Sequence, residues 1–168
     1  MGSDRMKSIE NMYFRCRKEA SLYNDKLNSR ESAADMLGVS PSSLADYELG
    51  NTKVVPVDKV VLMADLYNAP DLLNMYCASE CPIGCRKEIA TEIRTLERTT
   101  VALIDLLSGG KLDDYMAELA HIASDGRVDE DQKDKMSEII GYLSRLKLLV
   151  EELMLYDEKR RGAENVKR

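Results

Sequence analysis

The chain has 168 residues, with 24 lysine and arginine against 30 aspartate and glutamate for a net charge of −6. Its 44% apolar and 32% charged content suits a folded chain of one compact domain or two small ones, not a disordered segment. No apolar run nears the ~20 residues of a membrane span and no signal-peptide core opens the chain, so membrane and secreted classes are excluded and a cytoplasmic location is expected. The negative balance also argues against a generic nucleic-acid coat, which binds by neutralising phosphates.

Pro41, Pro56, Pro70 and Pro82 all lie in the first half, and the proline-free stretch from Ile83 to Arg168, rich in Leu, Ile, Glu and Lys, predicts long helices. The only run of β-branched residues, Lys53-Val54-Val55-Pro56-Val57, is short and broken by proline, so it reads as a loop. The expected class is all-α. Residues 1–30 carry a net charge of +3, residues 31–77 a net −5 and residues 78–168 a net −4, so the acid lies away from the first helix.

In chain order, a basic first helix is followed by Ser29-Arg-Glu-Ser-Ala-Ala-Asp-Met-Leu-Gly38. Ser29 is placed to cap a helix, with Glu31 and Ser32 in its first turn. Ala33, Ala34 and Leu37 give that helix a small apolar face, and Gly38 suits the left-handed position that ends it. Val39 follows as a buried plug. Ser40-Pro41 starts again, serine as cap and proline at the first helical position, where its missing N–H costs nothing. The second helix, about Pro41 to Leu49, turns Leu44 and Tyr47 inward and stops at Gly50. Two short helices, a tight turn containing glycine and a small residue at the crossing make a helix-turn-helix pattern.

The run Ser29-Arg30-Glu31, Ala34, Leu37-Gly38-Val39-Ser40, Leu44 and Tyr47-Glu48-Leu49-Gly50 resembles the phage repressor/Cro-like (Xre) helix-turn-helix family. The resemblance covers residues 6–77 and implies a five-helix, lambda-repressor-like DNA-binding domain, with Val57–Asn68 and Pro70–Cys77 as its fourth and fifth helices. It implies that the helix over Pro41–Leu49 enters the major groove and touches base edges from near its N-terminus. On this chain those positions are Pro41, Ser42, Ser43 and Asp46. Arg30 stands where the family places a residue near a phosphate, and the loop Asn51-Thr52-Lys53 would touch the backbone. Peptide N–H groups at both helix starts add phosphate contacts without formal charge. The chain differs from the family pattern at two places. Asp46 replaces the usual amide or basic residue; a carboxylate is repelled by phosphates, yet it can accept a hydrogen bond from a cytosine amino group. The connection Glu19–Asn28 is longer than usual and is read as an extended first helix plus a loop.

Cys77-Ala-Ser-Glu-Cys81-Pro-Ile-Gly-Cys85, with Cys16 distant, is the most unusual local run. Three cysteines would need Cys16 or Glu80 to complete a tetrahedral zinc site, and the gaps are not those of paired zinc-ribbon cysteines. In a reducing compartment a stable disulfide is disfavoured. No metal is expected, Cys77, Cys81 and Cys85 being the candidates were there one. The plainest role is packing, since cysteine behaves as a small hydrophobe; a metal- or redox-sensing role remains as an alternative. The junction also resembles one in Xre-like regulators with a helical tail, which implies a linker.

Ile89, Ile93, Leu96, Thr100, Leu103 and Leu107 step by four and three, a heptad seam with one polar interruption, and Gly109-Gly110 ends it. Leu112, Tyr115, Met116, Leu119, Ile122 and Ala123 mark a shorter amphipathic helix. Met136, Ile139, Leu143, Leu146, Val150 and Leu153 carry the spacing through a third helix, and Ile140, Leu149 and Met154 widen its stripe. Such width suits a helix packed between two neighbours, within the chain or across a dimer, and self-association is favoured. Asp125–Gln132 lacks the alternate ligands of a calcium loop; Asp129 with Gln132 reads as a capping box. His121 stands alone, and no nucleophile–base pair or phosphate loop is present, so no enzyme and no cofactor are expected.

The expected organisation is a DNA-binding domain over 6–77, a linker over 78–85, a helical oligomerisation module over 86–160 and a disordered tail over 161–168. The expected function is a sequence-specific, repressor-like transcriptional regulator that binds double-stranded DNA as a homodimer through its C-terminal helices, with no membrane partner. The alternative is a protein-interaction adaptor that keeps the fold without strong DNA binding.

Overall fold

The computed structural model describes residues 11–124 and 126–166. Its helices are α1 (Met12–Ala20), α2 (Arg30–Leu37), α3 (Pro41–Leu49), α4 (Val57–Tyr67), α5 (Asp71–Ser79), α6 (Leu96–Leu107), α7 (Lys111–Ser124) and α8 (Lys133–Val166). Short 3-10 turns lie at Asp25–Leu27, Gly84–Arg86, Ser108–Gly110 and Glu130–Gln132. No strand occurs among the described residues, so the fold is all-α as its composition predicts. Among them no helix is long and apolar enough to cross a membrane. The first residues of the expected DNA-binding domain, 6–10, lie outside the described residues.

The chain divides into two compact units, one running to Glu92 and resuming at Asp157, the other spanning Ile93–Tyr156. In the first unit α1 packs against α3, α4 and α5. Asn11 caps it, its side chain accepting from the Tyr13 and Phe14 amides at 2.9 and 3.2 Å. The inner face of α1 is Tyr13, Cys16, Arg17 and Ala20, the one-face spacing of an amphipathic helix. Leu27, Ala33, Ala34, Leu44, Val60 and Leu72 are fully enclosed around it, and each enclosed leucine contributes about 1.5–3 kcal/mol by leaving water. The helix does not extend into the long connection as expected. It stops at Ala20, the chain turns through Ser21–Asn24, and Asn24 accepts from the Lys26 amide at 3.2 Å to start the 3-10 turn that drives Leu27 into the core.

A second correction falls at the start of the C-terminal half. The helix expected after Cys85 begins only at Leu96, where Thr95 accepts from the Arg98 amide at 3.4 Å. Within the first unit Ala90 is buried, and its carbonyl accepts from Asn74 Nδ2 at 2.7 Å. Ile89 and Ile93 therefore sit outside any helix. The inner face of α6 is Thr99, Ala102, Leu103 and Leu106, while Leu96, Thr100 and Leu107 are exposed, so the buried face is rotated from the expected seam.

In the second unit Tyr142 Oη donates to the Leu106 carbonyl at 2.8 Å, tying α8 to α6. Tyr115 Oη donates to Glu138 Oε1 at 2.6 Å, and its ring meets that of Tyr142 edge-on at 4.9 Å, tying α7 to α8. Ile122, Ile139, Leu149 and Leu155 are buried. The Asp129–Gln132 capping box is formed and leads into α8. Residues 161–166, expected to be disordered, are instead the last turns of α8. Arg160 and Arg161 pair with Asp157 at 2.8 and 2.7 Å and Arg160 with Glu164 at 2.7 Å, one turn apart on the helix surface. Residues 167–168 of that expected tail lie outside the described residues.

Candidate nucleic-acid interface

The α2–turn–α3 unit is built by two serine caps and two left-handed glycines. Ser29 Oγ accepts from the Ser32 amide at 3.1 Å, and Ser40 Oγ from the Ser43 amide at 3.0 Å, with Pro41 at the first position of α3. Gly38 closes α2 at φ +61° and Gly50 closes α3 at φ +70°. Around Gly38 the space is open, so backbone conformation rather than room requires glycine there. Val39, expected to be a buried plug, is only half-buried, while Leu44 is fully enclosed and Tyr47 half-buried. The outer face of α3 leaves Pro41, Ser42 and Asp46 exposed and Ser43 half-buried.

Glu48 is fully buried at the last turn of α3 between two guanidinium groups. Arg17 engages both its oxygens, Nε with Oε1 and Nη2 with Oε2 at 2.9 Å. Arg30 donates Nε to Oε2 at 2.6 Å. Arg17, itself buried, spends Nη1 on the carbonyls of Leu27 and Asn28 at 2.8 and 3.1 Å. One carboxylate between two guanidiniums leaves one unit of positive charge in excess. Arg17 is enclosed, so that excess reaches solvent at Arg30, whose side chain is 34% exposed. Burial of the hydroxyl raises the Tyr67 pKa, with the negative charge of Glu48 adding to it.

Two of the expected contact residues engage each other. Asp46 Oδ1 accepts from Asn51 Nδ2 at 3.0 Å, and the Asp46 carbonyl accepts from the Asn51 amide at 2.9 Å. Asn51 and Lys53 are exposed and Thr52 is half-buried. Glu80 holds the far end of that loop, accepting from the Val55 amide at 2.8 Å and from Tyr13 Oη at 2.8 Å. Burial, reinforced by that carboxylate, raises the Tyr13 pKa. The Arg17–Glu48 pair was not among the expected site residues. Its trace in the sequence is that Arg17 occupies an apolar-face position, in register with Tyr13, Cys16 and Ala20.

The cysteines are all free thiols. Cys16 lies in the core on α1, Cys77 and Cys81 are half-buried and Cys85 is exposed. Among the described residues no three His, Cys, Asp or Glu side chains gather as a metal ion would require, so Cys77, Cys81 and Cys85 are not assembled as ligands. His121 is exposed on α7. Comparisons with protein families, with curated proteins and with solved structures found no match to this chain.

Proposed function

We propose that this chain is a sequence-specific DNA-binding transcriptional regulator, repressor-like in action. In this reading residues up to α5 form a lambda-repressor-like domain whose recognition helix is α3. The observation that carries it is the α2–turn–α3 unit, held from beneath by Arg17, Glu48 and Arg30, with Ser42 and Asp46 exposed and Ser43 and Arg30 half-buried. Arg30 and Lys53 would meet phosphates, aided by the amides that open α2 and α3. Ser42 and Ser43 would donate to or accept from base edges, and Asp46, oriented by Asn51, would accept from a cytosine amino group. So few cations imply weak binding by a single domain. Affinity would come from a homodimer spanning two half-sites roughly 34–36 Å apart.

Selection of bound fragments from genomic DNA by the full chain, at several salt concentrations, tests this. Enrichment of a paired half-site is expected, with Arg30→Ala reducing the salt slope by about one. No enriched sequence at low salt would sink the reading. The second reading is a protein-interaction adaptor, favoured by the exposed Asp46 carboxylate on the groove-facing side of α3. It requires the salt-independent absence of DNA binding in the same experiment.

A further inference from the structure

We propose that Cys81 and Cys85 are a peroxide-reactive dithiol, with Cys81 as the attacking sulfur and Cys85 as the resolving one. The turn that carries them is anchored at both ends. Glu80, immediately before Cys81, is pinned by Tyr13 Oη and the Val55 amide. The Cys81 amide donates to the Tyr76 carbonyl at 3.1 Å. A methyl group at Gly84 would stand 2.2 Å from the Cys77 carbonyl oxygen, so the chain is pressed onto the end of α5 at a distance that only glycine permits. Within this frame the Gly84 amide points at Cys81 Sγ at 3.5 Å, and the Cys85 amide donates to the Cys81 carbonyl at 2.9 Å.

These contacts divide the cysteines by reactivity. Hydrogen bonds from the Gly84 and then the Ile83 amide, with the Lys87 charge adding to them, hold the Cys81 thiol below its ordinary pKa. Since the thiolate is the nucleophile, Cys81 is the one prepared for attack. Cys16 is the opposite case: burial, with the Asp71 carboxylate next, pushes its thiol up to about 12. Cys85 is exposed, one hydrogen-bonded turn from Cys81. Residues so related have Cα atoms about 6 Å apart, inside the roughly 4.4–6.8 Å that a disulfide spans. Bridging then needs only a local adjustment of the turn that brings the two Cβ atoms together.

The chemistry needs one hydroperoxide. The Cys81 thiolate attacks a peroxide oxygen; the S–O bond forms, the O–O bond breaks, and the leaving hydroxide takes a proton to become water. Cys81 is then a sulfenic acid, oxidised by two electrons. The Cys85 thiolate attacks that sulfur, the S–S bond forms, and the S–O bond breaks with loss of a second hydroxide, which leaves as water with the proton released from Cys85. In sum, two thiols and one peroxide give one disulfide and two waters. Low pKa, access to solvent and a neighbouring resolving thiol together distinguish redox-responsive cysteines from packing ones.

The test treats the reduced full chain with hydrogen peroxide and follows each cysteine by peptide mass spectrometry, with dimedone to trap sulfenic acid. Wild type is expected to lose two hydrogens and yield an intrachain Cys81–Cys85 bridge. Cys85→Ser is expected to accumulate the dimedone adduct at Cys81. Cys81→Ser is expected to react more slowly, since the sulfur that the Gly84 amide prepares for attack is gone. Serine is nearly isosteric, and unchanged unfolding midpoints establish that both variants keep the fold. First modification at Cys77 or Cys85, equal rates in Cys81→Ser and wild type, or bridges only between chains would each overturn the proposal.

Discussion

A carboxylate sealed between two guanidiniums is tolerated only because every charge in the set has a partner. Glu48 accepts from Arg17 and Arg30, and Arg17 Nη1 donates to the Leu27 and Asn28 carbonyls. Moving such groups out of water costs several kcal/mol per ion, so the intact set stabilises little while its disruption is severe. Glu48→Gln keeps the shape and removes the charge, leaving Arg17 desolvated and unpaired. The expected cost is about 3–5 kcal/mol, read by urea denaturation of the full chain. A loss below about 1 kcal/mol would mean that water reaches Arg17, contrary to its burial. The same substitution frees Arg30 from its anchor, which links a stability residue to the surface charge that the DNA-binding reading uses.

At the scale of elements, α2 and α3 depend on their ends more than on their lengths. Each has only two or so turns, too short to persist without caps and packing. Ser40 Oγ satisfies the Ser43 amide and also lies 2.9 and 2.8 Å from the Ser42 and Ser43 hydroxyls, so one side chain organises the start of α3. Ser40→Ala is expected to cost about 1 kcal/mol. Gly38→Ala, which forces a Cβ into the left-handed region, is expected to cost about 1–2 kcal/mol with no clash to relieve. Thermal unfolding of both variants checks this; a neutral Gly38→Ala would show that the turn relaxes out of that conformation.

For the molecule as a whole, the faces left uncovered matter as much as the cores. In the second unit Val101 and Ile104 on α6 are 66% and 61% exposed, and Ile140 and Met154 on α8 are 54% and 65% exposed. Apolar surface of this kind on long helices is what a helical dimer would bury. A dimer is therefore expected in sedimentation at micromolar protein. Ile140→Glu combined with Met154→Glu should shift it towards monomer while leaving helical content intact, since both side chains point outward. A wild-type chain that sediments as a monomer would remove the homodimer from the proposed mechanism.

The amino-acid sequence by itself determined the all-α class, the caps at Ser29 and Ser40, the glycine stops at Gly38 and Gly50, and the Asp129–Gln132 box. All of these are local, depending on residues within a turn or so of one another. What only the folded structure decided includes partners far apart in the chain and local geometry that periodicity alone does not fix. Arg17 sits on the apolar face of α1, but its partner Glu48, from another helix, meets it only in the folded core. Ile89 and Ile93 read as heptad positions until Asn74 holds the Ala90 carbonyl and delays α6 to Leu96. Residues 161–166 read as a charged tail until α8 carries them on in helical form. Asp46 and Asn51 read as two separate contacts until the close of α3 turns one amide onto the other's carboxylate. Periodicity and capping are short-range properties of a sequence. Ion pairing, register against a neighbour and the point where a helix starts in a folded chain are set by groups brought together only in space.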